Sequence, residues 1–182
     1  MTQQEIKVDN ISVEIICDEF AENPRNWCNA TKFIMFHNRY LLPNEAGIRH
    51  GDYASWDEMK DALDKEYKWV YPVFMLDHGN VAFSVNSFEC RWDSAQVGFI
   101  VSDEGDAQDA YVNVTQELRV FAHYINGEVY GVRVFEDTEE IDSCYGYYGY
   151  DHEASGLKDE LDSYLTRVTT EEIKQQILNQ LS

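Results

Sequence analysis

The chain has 182 residues, 44% hydrophobic and 14% aromatic, which suits one folded domain and excludes a disordered acidic tail. Its 34 Asp and Glu outnumber 14 Lys and Arg, giving a formal net charge of −20. That balance excludes an electrostatic hold on an anionic lipid surface and argues against direct nucleic-acid binding by the acidic surface, where a basic patch is missing.

In chain order, the β-branched run Ile11–Cys17 predicts a strand, followed by a loop marked by Asn23-Pro24. Lys32–His37 reads as a second strand, and residues 43–51 as turns. Ser55 with Glu58 has the spacing of a capping box, and Trp56, Met59 and Leu63 recur at helical spacing behind it. Val70–Leu76 and Val81–Val85 flank Asp77-His78-Gly79-Asn80 and predict a hairpin, with Pro72 placing the first strand near an edge or a bulge. Gln96–Val101 is another strand, 109–124 a helix ended by Asn126-Gly127, and 128–135 an alternating strand. Leu157–Leu165 and Glu171–Leu181 close the chain as helices. Hairpins among interspersed helices predict an α+β fold, a mainly antiparallel sheet with two to four helices packed on it. Residues 1–153 are expected to form an acidic α+β domain, and 154–182 a helical extension packed on it. No apolar stretch reaches the roughly 18 residues of a membrane span. The N-terminal segment lacks the pattern of a signal peptide, so a cytoplasmic location is expected.

The four cysteines, Cys17, Cys28, Cys90 and Cys144, form no CxxC pair and read as free thiols; the five histidines supply no ligands beside them, so neither a metal nor a cofactor is expected. The most enzyme-like stretch is 77–80 with 88–96, where Cys90 as nucleophile, His78 as base and Asp93 as orienting group would make a thiol hydrolase. No cysteine-protease signature, Walker loop or GxGxxG supports it, and the competing reading is a strand-turn-strand corner with Trp92 in the core.

The charge is local. Residues 1–100 carry 16 acidic and 9 basic residues, a net of −7, whereas 101–162 carry 16 acidic and 3 basic (Arg119, Arg133, Lys158), a net of −13. The density peaks at Glu136, Asp137, Glu139, Glu140 and Asp142, with Asp103, Glu104, Asp106 and Asp109 a second cluster. Such clustering costs the compact state through self-repulsion. Duplex DNA carries one charge per ~1.7 Å of axis, and a carboxylate-studded face imitates that field. The alternatives are solubility and Ca²⁺ chelation, the latter lacking the ligand order of an EF-hand. A local basic exception lies around Lys32, Arg39 and Arg49. Next to the acidic run, Tyr145, Tyr147, Tyr148 and Tyr150 alternate with glycines, a composition suited to an interface.

Pro24-Arg25-Asn26-Trp27, Phe36-His37-Asn38-Arg39-Tyr40, Asp77-His78-Gly79, Cys90-Arg91-Trp92-Asp93-Ser94-Ala95-Gln96-Val97-Gly98-Phe99, Gly127-Glu128-Val129-Tyr130-Gly131 and Asp142-Ser143-Cys144-Tyr145-Gly146-Tyr147-Tyr148-Gly149, in that order, resemble a family of small proteins carried by phages, plasmids and conjugative elements. The resemblance covers residues 11–153. The family's usual Cys-Pro-Trp-Asp-Ser-Gly-Gln differs here at Arg91 and Ala95. The resemblance implies mobile-element cargo acting in a bacterial host cytoplasm. Together with the charge, it sets the expectation of a counter-defence protein, anti-CRISPR or antirestriction, that mimics DNA. The expected partner is a basic nucleic-acid-binding protein such as a CRISPR effector of the Cas9 type or a restriction enzyme. The sequence leaves a homodimer open. The thiol hydrolase and an acidic scaffold for some other basic partner are the competing expectations.

Overall fold

The computed structural model describes residues 2–90 and 92–181; Met1, Arg91 and Ser182 lie outside them. The fold is α+β: among the described residues there are four α-helices and two four-stranded antiparallel sheets. The chain divides into two compact units. One comprises the segments up to Glu22 and from His123 onward, and the other is Asn23–Ala122.

The first unit holds β1 (Thr2–Val8) and β2 (Ile11–Cys17), a sheet in the order β1-β2-β7-β8 with β7 (Val129–Glu136) and β8 (Glu139–Tyr148), and helices α3 (Leu157–Val168) and α4 (Glu171–Leu178). Alternation in β2 and β7 puts Val13 opposite Val134 and Ile15 opposite Val132. This face is buried with Leu157, Leu161 and Leu165, an i, i+4 stripe on α3. A 12-residue helix is marginal alone, and burial of three leucines at about 1.5–3 kcal/mol each is what holds it. The neighbouring register pair Glu14–Arg133 lies on the sheet's other face. β1 and β8 are the edge strands. Neither is anticipated by the sequence pattern, because their compositions, TQQEIKV and EEIDSCYGYY, lack a clean apolar alternation.

The second unit orders its sheet β3-β6-β4-β5, with β3 (Lys32–Met35), β4 (Trp69–His78), β5 (Asn80–Ser84) and β6 (Ser94–Ser102). α1 (Trp56–Leu63) starts at the expected cap: Ser55 Oγ accepts from Glu58 N at 3.2 Å, and Glu58 Oε2 accepts from Ala54 N at 2.6 Å. It buries Met59 and Leu63 with Ile34, Phe99 and Val101. α2 (Ala107–Ile125) buries Ala110, Val114, Leu118 and Phe121, the last meeting Phe33 edge-on at 5.4 Å. β6 is therefore buried along most of its length. Pro72 is tolerated in β4 because β5 pairs only from Phe74 onward, and a bulge follows at Val73/Phe74.

At that bulge Gly98 has φ +152, and a Cβ there would lie 2.0 Å from Ile34 O. Backbone meets backbone, with no flexible side chain to give way. Gly98→Ala should therefore destabilise the protein by about 3 kcal/mol or more, read as a lowered urea midpoint at unchanged slope. A midpoint shift within experimental error would show that β3 and β6 do not approach this closely.

Candidate functional site: an acidic hairpin and a polar cleft

The first unit carries 19 acidic against 5 basic residues, and the second 15 against 9. The two acidic clusters belong to different units and differ in what their carboxylates do. In the second unit two of them, Asp106 and Asp109, serve the start of α2. Asp106 Oδ1 accepts from Gln108 N and Asp109 N at 2.8 and 3.0 Å, and Asp109 Oδ2 accepts from Asp106 N at 3.3 Å. Asp103 Oδ1 accepts from Lys68 N at 2.9 Å. Asp106 and Asp109 thus satisfy local backbone donors, as acidic residues at a helix start ordinarily do, whereas Asp103 holds the backbone ahead of β4 and Glu104 is exposed beside them.

The other cluster is built differently. β7 and β8 are joined at Asp137-Thr138, with Asp137 at φ +54, a left-handed conformation that Asp tolerates better than most residues. The β1–β2 turn at Asp9-Asn10 reaches the same tip: Asp137 N donates to Asn10 O at 2.6 Å, and Asn10 Nδ2 donates to Glu136 Oε1 at 3.0 Å. Asp9, Glu136, Asp137, Glu139 and Glu140 are all exposed. Glu136 and Glu139 are direct cross-strand partners. Like charges at that position are destabilising, by about 0.2–1 kcal/mol relative to a favourable pair. Among the described residues, Asp137 and Glu139 have no ion-pair partner. Arg133 is the cation of this hairpin: it stacks over Phe135 at 4.8 Å, reaches Glu14 at 3.2 Å and clasps Glu140.

That hydrogen bond holds the Glu140 carboxyl below the ordinary range and raises the Arg133 guanidinium. A depressed carboxyl stabilises the fold above its unfolded pKa and ceases to as pH falls through its folded value, so the clasp opens only on acidification. Solvent exposure keeps its contribution small.

The tyrosines separate. Tyr145 lies over Gly131 and is 47% exposed, and Tyr150, just past the strand, is 70% exposed and edge-on to His123. Tyr147 turns to the helix-packed face, where burial and Cys144 push its phenol well up, and the Tyr148 hydroxyl donates to Glu22 O. Two residues apart on a regular strand would share a face; the register shift around Gly146, φ +89, sends Tyr145 and Tyr147 to opposite ones. The exposed edge of β8 is partly satisfied from within, since Tyr164 Oη donates to Ile141 O at 3.2 Å and Ser143 N donates to Asp142 Oδ1 at 2.9 Å.

In the second unit, the stretch singled out for thiol chemistry does come together, in an order that does not suit it. His78 Nδ1 lies 3.1 Å from Asp93 Oδ2, and Cys90 Sγ donates to the same oxygen at 3.5 Å. The carboxylate sits between thiol and imidazole, so His78 is not placed to take the Cys90 proton, and no Cys90–His78 hydrogen bond is present among the described residues. Trp92, expected in the core by the competing reading, is 97% exposed. Ala95 pairs with Met75 without a left-handed φ, so glycine is not required there. No group of three His, Cys, Asp or Glu among the described residues is arranged to hold a metal ion. Replacing Cys90 by alanine is expected to leave folding and any inhibitory potency within twofold of the unmodified protein, measured by circular dichroism and by titration. Abolished activity would restore the thiol mechanism.

The sequence motif around Pro24 also acquires a role. Arg25, its side chain 6% exposed, is pinned by Glu45 at 2.9 Å, by Glu117 at 2.5 Å and by Thr31 O at 2.8 Å, with its guanidinium 3.8 Å above the Phe33 ring. Glu117 in turn accepts from Ala30 N and Thr31 Oγ1. This is a structural clamp, and the signal for it in the sequence was a lone arginine among polar neighbours.

Comparison with protein-family models, with curated proteins and with solved structures returns no match. No helix among the described residues is long and apolar enough to cross a membrane.

Proposed function

We propose that this protein is a mobile-element counter-defence inhibitor that binds a basic, nucleic-acid-binding host nuclease through the β7–β8 hairpin. The observation that carries the reading is the tip formed by Asp9, Glu136, Asp137, Glu139 and Glu140, where like charges are held opposite one another and, among the described residues, only Glu140 has an ion-pair partner. The arrangement opposes stability, which a basic partner would relieve. A rigid row of carboxylates addresses the Lys and Arg side chains that hold phosphates, and Tyr145 and Tyr150 supply exposed aromatic area beside it. Association of this kind is fast and falls steeply with ionic strength.

The resemblance to phage and plasmid proteins points to host defence, with a guide-loaded Cas9-type effector or a restriction enzyme as target. The test immobilises the protein and passes over it a guide-loaded Cas9-type effector and a set of restriction enzymes, at about 50 mM and about 500 mM salt, where the Debye length falls severalfold. Capture at low salt, release at high salt and slowed DNA cleavage in solution support the proposal. Salt-sensitive capture with cleavage untouched would instead identify a scaffold for a basic partner.

A further inference from the structure

We propose that a cleft in the second unit, remote in chemistry from the acidic hairpin and not dependent on the nuclease reading, is a binding site for a guanidinium group. The cleft encloses about 320 Å³ beside the β4–β6 pairing, with Met75 and Val97 as an apolar floor and Arg39, Asp77, Trp92 and Asp93 on its rim. One guanidinium site already exists there in the protein's own side chains. Arg39 forms an ion pair with Asp77 and lies over the Tyr40 ring at 5.6 Å, a carboxylate and an aromatic ring holding one planar cation between them. Trp92 and Asp93 offer the same two elements a second time. Asp93 is anchored through one oxygen, Oδ2, by His78 and Cys90, and its Oδ1 accepts no hydrogen bond among the described residues. The Trp92 ring, 97% exposed, has no ring or cation partner among them. Asp77 and Asp93 are tied by the backbone bond from Asp77 N to Asp93 O at 2.9 Å, so the two carboxylates form one rim.

The chemistry selects the cation. The cleft's own lining carries two carboxylates, Asp77 and Asp93, against the Arg39 guanidinium, with His37 beside them, and a rim with carboxylate in excess favours a cation over an anion. Trp is the strongest aromatic partner for a cation, and a planar, weakly hydrated guanidinium stacks on indole while meeting a carboxylate edge, which an ammonium does not match. The pairing of Arg39 with Tyr40 and Asp77 is an internal instance of that geometry.

The experiment records backbone amide cross-peaks of Ser94 and Ala95 in ¹⁵N-labelled protein during titration with N-acetyl-arginine methylamide, agmatine, N-acetyl-lysine methylamide and N-acetyl-norleucine methylamide. Saturable shifts are expected for both guanidinium compounds, with at least tenfold weaker binding of the lysine compound and none of norleucine. Asp93→Asn and Trp92→Leu should each weaken binding at least tenfold, and the exposure of Trp92 makes its replacement neutral for folding. Tighter binding of the arginine amide than of agmatine assigns the group to a partner's arginine side chain; the reverse assigns it to a free small guanidine. Absence of a saturable shift, an equal response to norleucine, or unchanged affinity in Asp93→Asn with a native spectrum would overturn the site.

Discussion

Replacing Glu136 and Glu139 by lysine and Asp137 by asparagine is expected to lower inhibitory potency at least a hundredfold, with an unchanged circular dichroism spectrum. Each carboxylate facing a lysine or arginine at a contact contributes on the order of 1 kcal/mol or more, and reversal turns attraction into repulsion. Asparagine is chosen at 137 because φ +54 admits it without added strain. The lysines remain opposite one another, so the folded state keeps a like-charge pair of similar cost. Glu140 is left alone, since it holds Arg133. The single change Glu136→Lys separates function from stability: it creates an opposite-charge pair with Glu139 but gives up the hydrogen bond from Asn10 Nδ2, so stability should stay within about 1 kcal/mol while association weakens and its salt dependence flattens. An inhibitor equally potent after triple replacement does not use this tip.

Arg25→Ala is expected to lower the unfolding free energy by about 3–5 kcal/mol, among the largest effects of any side-chain truncation in the second unit. The substitution leaves Glu45 and Glu117 facing each other around a space the guanidinium filled, deprives Thr31 O of its donor and uncovers the Phe33 ring. Because both carboxylates are part-buried, they cannot recover full hydration. Urea denaturation followed by fluorescence measures it: the midpoint should fall with the slope unchanged, or the transition should split if the second unit unfolds separately. A shift below 1 kcal/mol would mean that the clamp is redundant.

Local chemistry made much of this fold readable. The β2 strand matches its β-branched run from Ile11 to Cys17, the Ser55 cap forms as its spacing requires, and the turn at Gly79 follows from a glycine between two apolar runs. What was not readable is non-local. β2 pairs with β7, which lies beyond the whole of residues 23–122, and nothing in either strand specifies that the intervening chain builds its own sheet. β1 and β8 are edge strands, and an edge can be polar on both faces without leaving donors stranded, so the periodicity that betrays a strand is missing. For the candidate site, charge density marked the hairpin, but it could not distinguish the caps at Asp106 and Asp109 from the carboxylates at Asp137 and Glu139, which pair with no cation among the described residues. Nor could spacing show that a shift at Gly146 would bury Tyr147 and leave Tyr145 outside. The contribution of Asp9 and Asn10 to the tip depends on two hairpin turns meeting, which only the pairing of β2 with β7 brings about.

The most direct test of the central claim is the DNA-cleavage rate of a guide-loaded Cas9-type effector, and of a set of restriction enzymes, against increasing concentrations of this protein at low and high salt. At least one of these activities is expected to fall to background at saturating protein in low salt, and added salt or added duplex DNA to restore it in a concentration-dependent manner. Cleavage rates untouched at saturating protein in low salt, across the whole set, would contradict the claim.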